Sequence, residues 1–114
     1  MSEKTLFSRI IDGEIPADII HEDERCIAFR DINPQAPLHA LIVPRKAIAK
    51  LGDSTETDAA LLGHLLLVAA KVAEQQGCGD AFRLVVNNGA GAGQTVFHLH
   101  VHILGGRPFK WPPG

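Results

Sequence analysis

Apolar residues recur along the chain with two different spacings, and each spacing predicts a type of element. Helical spacing within 5–12 predicts a short first helix that ends at Gly13, and the apolar run 59–73 predicts a second helix that continues to about Gln76. Shorter apolar runs between turn residues predict five strands, over residues 19–21, 26–30, 38–43, 82–87 and 95–104.

Two of these elements are more apolar than a surface element usually is. The third strand is apolar on both of its faces, which is typical of a central strand covered on both sides. Between Ala59 and Ala73 only His64 and Lys71 are strongly polar, yet the helix is too short to span a membrane. Because a sheet can cover only one face of this helix, we expect a second subunit on another face, and hence a homodimer.

The composition is that of one globular domain over 1–114, with 46% apolar and 21% charged residues. A net charge of -2 gives no basic field for extended nucleic acid, although a single nucleotide needs only local donor groups. Cys26 and Cys78 match no metal or redox spacing and are expected to be free thiols in a reducing compartment. Residues 1–4 do not resemble a leader, and no apolar run approaches the ~20 residues of a membrane helix. We therefore expect a cytoplasmic protein without membrane contact.

The candidate chemistry lies in residues 98–104, where histidine and apolar residues alternate as His-Leu-His-Val-His-Ile-Leu. This period of two predicts a half-buried strand with His98, His100 and His102 on one face, at intervals of roughly 6 to 7 Å. A lone strand histidine is usually an ordinary surface or core residue. Three in register are different, because imidazole is a poor strand former and its burial needs polar partners.

One use of such a face is metal binding. Three histidines in a row span about 13 Å, whereas zinc–nitrogen bonds are about 2 Å, so the three imidazoles converge poorly on one ion. Two of them together with His39 of the third strand form a better candidate set. We expect neither a metal nor a cofactor, and we keep this set as the alternative.

The second use is phosphoryl or nucleotidyl transfer through a histidine nucleophile. Neutral imidazole is nucleophilic near pH 7 because its ordinary pKa is about 6.5. His100 is best placed, because a further imidazole lies on each side of it. One of its ring nitrogens must keep a lone pair toward phosphorus while the other donates to a fixed acceptor, either a backbone carbonyl or His39. Neighbouring imidazoles and backbone N–H groups can share the phosphate charge without a divalent ion.

Other residues could complete a nucleotide site, and each also has an ordinary structural explanation. The glycine-rich loop 88–93, which ends at Gly93, lets backbone N–H groups approach an anion, although loops between strands are often glycine-rich. Asp31 could accept hydrogen bonds from two ribose hydroxyls, or it could cap a turn. Gln94 and Thr95 could donate to a phosphate, or serve turn chemistry. Five apolar residues could form a slot for a base or belong to the core: Leu6, Phe7, Ile10, Phe29 and Ile32.

The histidine pattern resembles the histidine-triad superfamily, whose signature is His-x-His-x-His with apolar residues between. Other stretches along nearly the whole chain resemble the Hint branch of that superfamily. They are Leu6-Phe7 with Ile10-Ile11, Glu14-Ile15-Pro16, the run 29–37, His39, Val43-Pro44 and Gly105-Gly106-Arg107. The ending Trp111-Pro112-Pro113-Gly114 is similar to the C-terminus of eukaryotic-type Hint proteins.

The resemblance implies an α+β fold with two helices and a five-stranded antiparallel sheet, doubled to ten strands in a homodimer. It also implies a hydrolase that cleaves the P–N bond of purine nucleoside 5'-phosphoramidates, such as AMP joined to an amine, through a covalent nucleotidyl-histidine. His100 would then be the nucleophile. His98, His102 and His39 would orient it and handle the phosphate and the leaving group.

The same resemblance implies the nucleotide-binding residues. Asp31 would bind the ribose, Asn87 and Thr95 would lie on the phosphate side, and Trp111 would reach the site of the partner subunit. The base would be held by Leu6, Phe7, Ile10, Phe29 and Ile32.

Two departures from relatives refine the expectation. Many bacterial members begin with a Cys-x-x-Cys zinc pair, where this chain has Thr5-Leu6-Phe7-Ser8, so no structural zinc is expected. The transferase branch has glutamine at the third signature position, whereas His102 stands here, which favours hydrolysis because histidine can protonate a departing amine. Two alternative functions are a dinucleoside polyphosphate hydrolase and a nucleotide-binding regulatory scaffold whose activity is incidental.

Overall fold

The computed structural model describes residues 4–114, and its elements follow most of those predicted. The expectation that no leader is present rests partly on residues 1–3, which lie outside this range. The helices are α1 (Leu6–Ile11) and α2 (Ala59–Gln75). The strands are β1 (Ile19–Glu22), β2 (Cys26–Arg30), β3 (Leu38–Pro44), β4 (Phe82–Val85) and β5 (Val101–Gly105). Short 3-10 turns cover Leu51–Asp53, Glu56–Asp58 and Ala90–Ala92.

All five strands join one antiparallel sheet in the order β1-β2-β3-β5-β4. β3 lies at the centre and is buried along its whole length, as its apolar sequence predicted. β4 ends at Val85, two residues before the predicted end at Asn87. The predicted α+β fold with a five-stranded antiparallel sheet and two helices is confirmed.

The sheet separates two apolar layers. On one face, Leu65, Val68 and Val72 of α2 belong to the same core cluster as Ile42 and Ile103 of the central strands. On the opposite face, α1 contributes to a smaller cluster made of Phe7, Ile10, Ile27, Phe29, Leu41 and Val43. This second layer covers only part of its face, which leaves room for a cavity between α1 and the sheet.

Local capping explains where the two helices begin and end. Thr5 caps α1, because its hydroxyl oxygen accepts a hydrogen bond from the Ser8 N–H at 3.0 Å. The chain leaves α1 at Gly13, whose φ of +78° suits glycine. Thr55 and Asp58 form a capping box before α2. No helix within 4–114 has both the length and the apolar character to cross a membrane.

Gly106, directly after β5, offers a test of this architecture. Its φ is +87°, and an added Cβ would lie 2.8 Å from the Cβ of Pro37. Gly106→Ala should therefore lower the free energy of unfolding by about 2–4 kcal/mol, through left-handed strain and overpacking. Urea unfolding measures this loss. Gly91→Ala is the matched control, since nothing lies within 4 Å of its added Cβ; equal losses in both variants would contradict the prediction.

Candidate active site

The strand that carries the histidines is shorter than predicted. The sequence pattern placed its start at Thr95, but the ladder with β3 begins at Val101, which pairs with Ile42. Continuing the same register would place Leu99 opposite Pro44, which has no N–H group to donate. Residues before Val101 therefore lie beside the end of β3 without joining the ladder.

Side chains nevertheless alternate along this segment as predicted. Leu99, Val101 and Ile103 belong to the core cluster under α2. His100 and His102 line a cavity on the opposite face of the sheet. The alternation thus separates a core face from a face on which two imidazoles reach the cavity.

The cavity lies between α1, the sheet and the loop before β5, and has a volume of about 390 Å³. Eleven of the residues predicted for the site line it: Leu6, Phe7, Ile10, Phe29, Asp31, Ile32, Asn87, Gly93, Thr95, His100 and His102. Six lining residues were not predicted: Ile15, Pro16, Ala17, Arg30, Leu41 and Val96. Leu41 could have been found from the sheet register, because it pairs with both Phe29 and His102.

His100 is held in one tautomer by the main chain. Its Nδ1 lies 2.8 Å from the carbonyl oxygen of His98, and a carbonyl can only accept, so Nδ1 carries the proton. The lone pair of the neutral ring is therefore on Nε2. The edge of the Phe7 ring packs against the imidazole, with ring centroids 4.9 Å apart.

His102 is held in the opposite tautomer by His39. The Gln35 N–H donates to His39 Nδ1 at 3.0 Å, so the proton of neutral His39 is on Nε2. That Nε2 donates to His102 Nδ1 at 2.9 Å, which leaves the His102 proton on Nε2. Asp31 Oδ2 lies 3.5 Å from His39 Nε2 and adds a negative charge beside the pair. The two cavity imidazoles thus differ: one is an acceptor at Nε2 and the other is a donor.

His98 and Gln94 lie beside the cavity rather than in its lining. His98 is buried, with Nε2 donating to Pro44 O at 2.7 Å and Nδ1 lying 3.2 Å from the Thr5 hydroxyl. The Gln94 side chain is also buried, and it accepts from Gly89 N–H and donates to backbone carbonyls. Neither side chain has a free group for a phosphate, so both are placed to support the site.

Burial keeps the four histidines neutral. It lowers the pKa of His39, His98 and His100 below the usual 6.5. The pKa of His102 falls to about 4, first through burial and then through the neighbouring His100 and His39. At neutral pH the tautomers set by the hydrogen bonds are therefore the relevant forms.

Three further predictions can be compared with the structure. The metal alternative combined two signature histidines with His39, whereas in the structure Asp31 takes the place of one of those histidines. The ligand atoms of Asp31, His39 and His102 lie within 4.8 Å of one another, so these three could hold a metal ion. Trp111, expected to contact a partner subunit, is 84% exposed within the single chain. Cys26 and Cys78 are free cysteines, as predicted.

Comparisons with known proteins agree with this architecture. Residues 12–109 match the family model described as the HIT domain. An uncharacterized HIT-like protein of Synechocystis is 63% identical over 114 residues, the whole of both chains. The 14 kDa zinc-binding protein of Zea mays is 49% identical over 112 residues, covering 96% of this chain and 88% of its own length.

Solved structures give the same result. The crystal structure of a HIT family hydrolase from Legionella pneumophila matches with a TM-score of 0.95 and 48% identity, over 97% of this chain and 100% of that one. The fold described above is therefore that of the HIT domain. Matched over most of its length by the family model and from end to end by a relative, this chain belongs to the HIT domain family.

Proposed function

We propose that this chain is a member of the Hint branch that hydrolyses the P–N bond of purine nucleoside 5'-phosphoramidates, with His100 as the nucleophile. The observation that carries the proposal is the hydrogen bond from His100 Nδ1 to the His98 carbonyl, because it fixes a lone pair on Nε2. No hydrogen bond to this Nε2 is found within 4–114, and the ring lines the cavity. The name of the similar Legionella pneumophila protein, a HIT family hydrolase, supports the reaction class.

The reaction follows from the two tautomers. His100 Nε2 bonds to phosphorus as the P–N bond breaks, and the departing nitrogen takes the Nε2 proton of His102 and leaves as the amine. Water then attacks phosphorus, gives its proton to His102 and displaces His100, which releases the nucleoside monophosphate. An amine is a poor leaving group unless it is protonated, so the donor at His102 favours P–N cleavage. The steps use no metal ion and no cofactor.

The cavity suits a purine nucleotide in three parts. Phe7 and Phe29, with ring centroids 5.4 Å apart, form the floor of an apolar slot for the base. The Asp31 carboxylate lies at the same cavity and can accept hydrogen bonds from the ribose hydroxyls. Asn87 and Thr95 also line the cavity, and in this proposal they contact the phosphate. AMP and AMP-amines are therefore the ligands that we propose.

His98 and His39 act without touching the substrate in this proposal. The main-chain carbonyl of His98 orients the nucleophile, and its ring is anchored to Pro44. His39 sets the proton of His102. Both are therefore positioning residues.

We also propose a homodimer, formed through the uncovered side of α2. Leu66 and Leu67 of this helix are 50% and 73% exposed, which leaves large apolar side chains in contact with water. In such a dimer the sheets of two copies would give ten strands. The exposed Trp111 would contact the site of the other copy.

His100→Ala should lower turnover of an AMP-amine by at least about 10³-fold, because the nucleophile is lost. AMP affinity, measured by calorimetry, should change only a few-fold, because the apolar slot remains. Wild-type protein quenched in alkaline denaturant, which preserves a phosphorus–histidine bond, should carry one covalent AMP by mass spectrometry, and the variant should carry none.

Two comparisons make this test specific. Cys78→Ser, a change outside the cavity lining, should keep wild-type turnover. AMP-amines should be cleaved with a higher kcat/KM than dinucleoside polyphosphates. Near-normal activity of His100→Ala would contradict the assignment of His100 as nucleophile. A preference for polyphosphates would favour the alternative of a dinucleoside polyphosphate hydrolase. AMP binding without turnover in the wild type would favour a regulatory scaffold.

The pH profile of kcat/KM should show an acid limb with a midpoint below 6.5. Burial lowers the pKa of His100, so its lone pair persists as the pH falls through 6.5 and is lost only at lower pH. Initial rates with an AMP-amine give the profile after the uncatalysed acid hydrolysis is subtracted, and circular dichroism checks that the protein stays folded. A midpoint at or above 6.5 would contradict the buried neutral nucleophile.

Leu67→Glu should convert the homodimer to a monomer, because the carboxylate would be buried without a partner in the contact face. Sedimentation equilibrium measures the mass of wild type and variant. Gln75→Glu is the matched control, since it places the same charge at an exposed residue near the end of α2. A monomeric wild type, or a Leu67→Glu variant that stays dimeric, would contradict this interface.

A further inference from the structure

A second cluster of polar side chains lies on the α2 side of the sheet, away from the cavity. His21 is the third residue of β1 and partly buried, Asp23 lies in the turn that follows, and Cys26 begins β2. His64 reaches the same turn from α2, with its Nε2 2.8 Å from the Asp23 carboxylate. None of these four side chains takes part in the proposed hydrolysis.

The Asp23 carboxylate organises this cluster with its two oxygens in different roles. Oδ1 accepts the backbone N–H groups of Arg25 at 2.7 Å and Cys26 at 2.9 Å, which fixes the turn. Oδ2 faces His21 Nε2 at 2.8 Å, His64 Nε2 at 2.8 Å and the Cys26 thiol at 3.5 Å. Three donors thus share one carboxylate oxygen, which has only two lone pairs.

We propose that His21, Asp23 and Cys26 bind one divalent ion of the zinc type, and that His64 orients the Asp23 carboxylate as a positioning residue. The ligand atoms of these three residues all lie within 4.8 Å of one another. Nitrogen, oxygen and thiolate sulfur together are the donor set that Zn²⁺ takes in proteins.

The distances fit a tetrahedral ion after a small expansion. With bonds of about 2.0–2.3 Å, tetrahedral ligands lie roughly 3.3–3.6 Å apart. The Cys26 sulfur and Asp23 Oδ2 already have a separation of 3.5 Å. His21 Nε2, now 2.8 Å from Oδ2, has to move away by about 0.5 Å, which a small rotation of this partly buried side chain provides. Solvent takes the fourth position on the exposed side.

Charge also favours a cation at this position. Burial acts to raise the pKa of Asp23, but hydrogen bonds from His21, Arg25 and His64 lower it well below its usual range, so the carboxylate is ionised. Burial and the nearby Asp23 raise the pKa of the Cys26 thiol to about 12, so the thiol is protonated until an ion binds. Binding then forms the metal–sulfur bond and releases the thiol proton to solvent. His21 moves its proton from Nε2 to Nδ1, and the two anionic ligands balance the 2+ charge.

Co²⁺ is a suitable probe for this site, because thiolate ligation gives it a near-ultraviolet charge-transfer band and tetrahedral geometry gives visible bands. We expect one equivalent of Co²⁺ to produce both bands in the chelator-treated, reduced full chain. Zn²⁺ should abolish both bands, and about one proton should be released per ion. Zn²⁺ should also raise the thermal midpoint of wild type.

Variants assign the ligands. Cys26→Ala should remove the charge-transfer band, and His21→Gln, at a partly buried side chain, should weaken Co²⁺ binding at least about 100-fold. His64→Gln should keep the bands with roughly 10–100-fold weaker binding, as expected for a group that orients a ligand. Circular dichroism confirms that each variant is folded, and His21→Gln decides the matter where Cys26→Ala fails to fold.

Two controls separate this cluster from the other thiol and from the cavity. Cys78→Ser and His102→Gln should both retain the full bands, since neither side chain belongs to the cluster. The proposal is overturned by a wild type without a charge-transfer band, by unchanged binding in His21→Gln, or by bands that disappear in Cys78→Ser or His102→Gln. These readouts do not depend on hydrolysis, so they remain valid if the proposed function is wrong.

Discussion

The hydrogen bond from the His100 ring to the His98 carbonyl is the constraint on which the site depends. A carbonyl inside a strand ladder is normally paired with the N–H of the neighbouring strand. The His98 carbonyl is available because the ladder with β3 stops at Val101, and the same register would place Leu99 opposite Pro44, which has no N–H group. The same proline offers its own carbonyl to the His98 ring. The end of one strand thus fixes both the backbone and the tautomer of the residue proposed as nucleophile.

The alternation along 98–104 predicted the correct face for each side chain, because an extended chain reverses its side chains whether or not it is paired. It could not predict the start of β5, because pairing depends on where the neighbouring strand ends. The pattern singled out His100 for its two flanking imidazoles, but it could not show that the rings of His98 and His100 have different surroundings. Their difference is tertiary: the α1 cap residue Thr5 and Pro44 occupy the ring of His98, whereas His100 meets the cavity.

The cavity-lining residues that were predicted are those whose side chains suggested chemistry or that belong to a known family motif. The lining residues without either signal were missed. Leu41 and Val96 are ordinary apolar residues, and only the assembled sheet brings them to the cavity. Gln94 is the reverse case: it was predicted to contact a phosphate, because its amide precedes the histidines, but it does not line the cavity. In the structure its amide binds the main chain of the loop, and such a choice between loop and ligand cannot be read from one sequence.

The two polar clusters lie on opposite faces of one sheet, and β2 connects them. Cys26 faces α2, while Phe29, three residues later, faces the cavity. Because successive strand side chains point to opposite faces, an ion at Cys26 would restrain the backbone that positions Phe29 without touching a nucleotide. His21 and His64 tie the same hairpin to α2 through Asp23. Under the two proposals, restraint of β2 from the α2 side would therefore act on the base slot through the strand itself, and it would change nucleotide affinity rather than the chemical step.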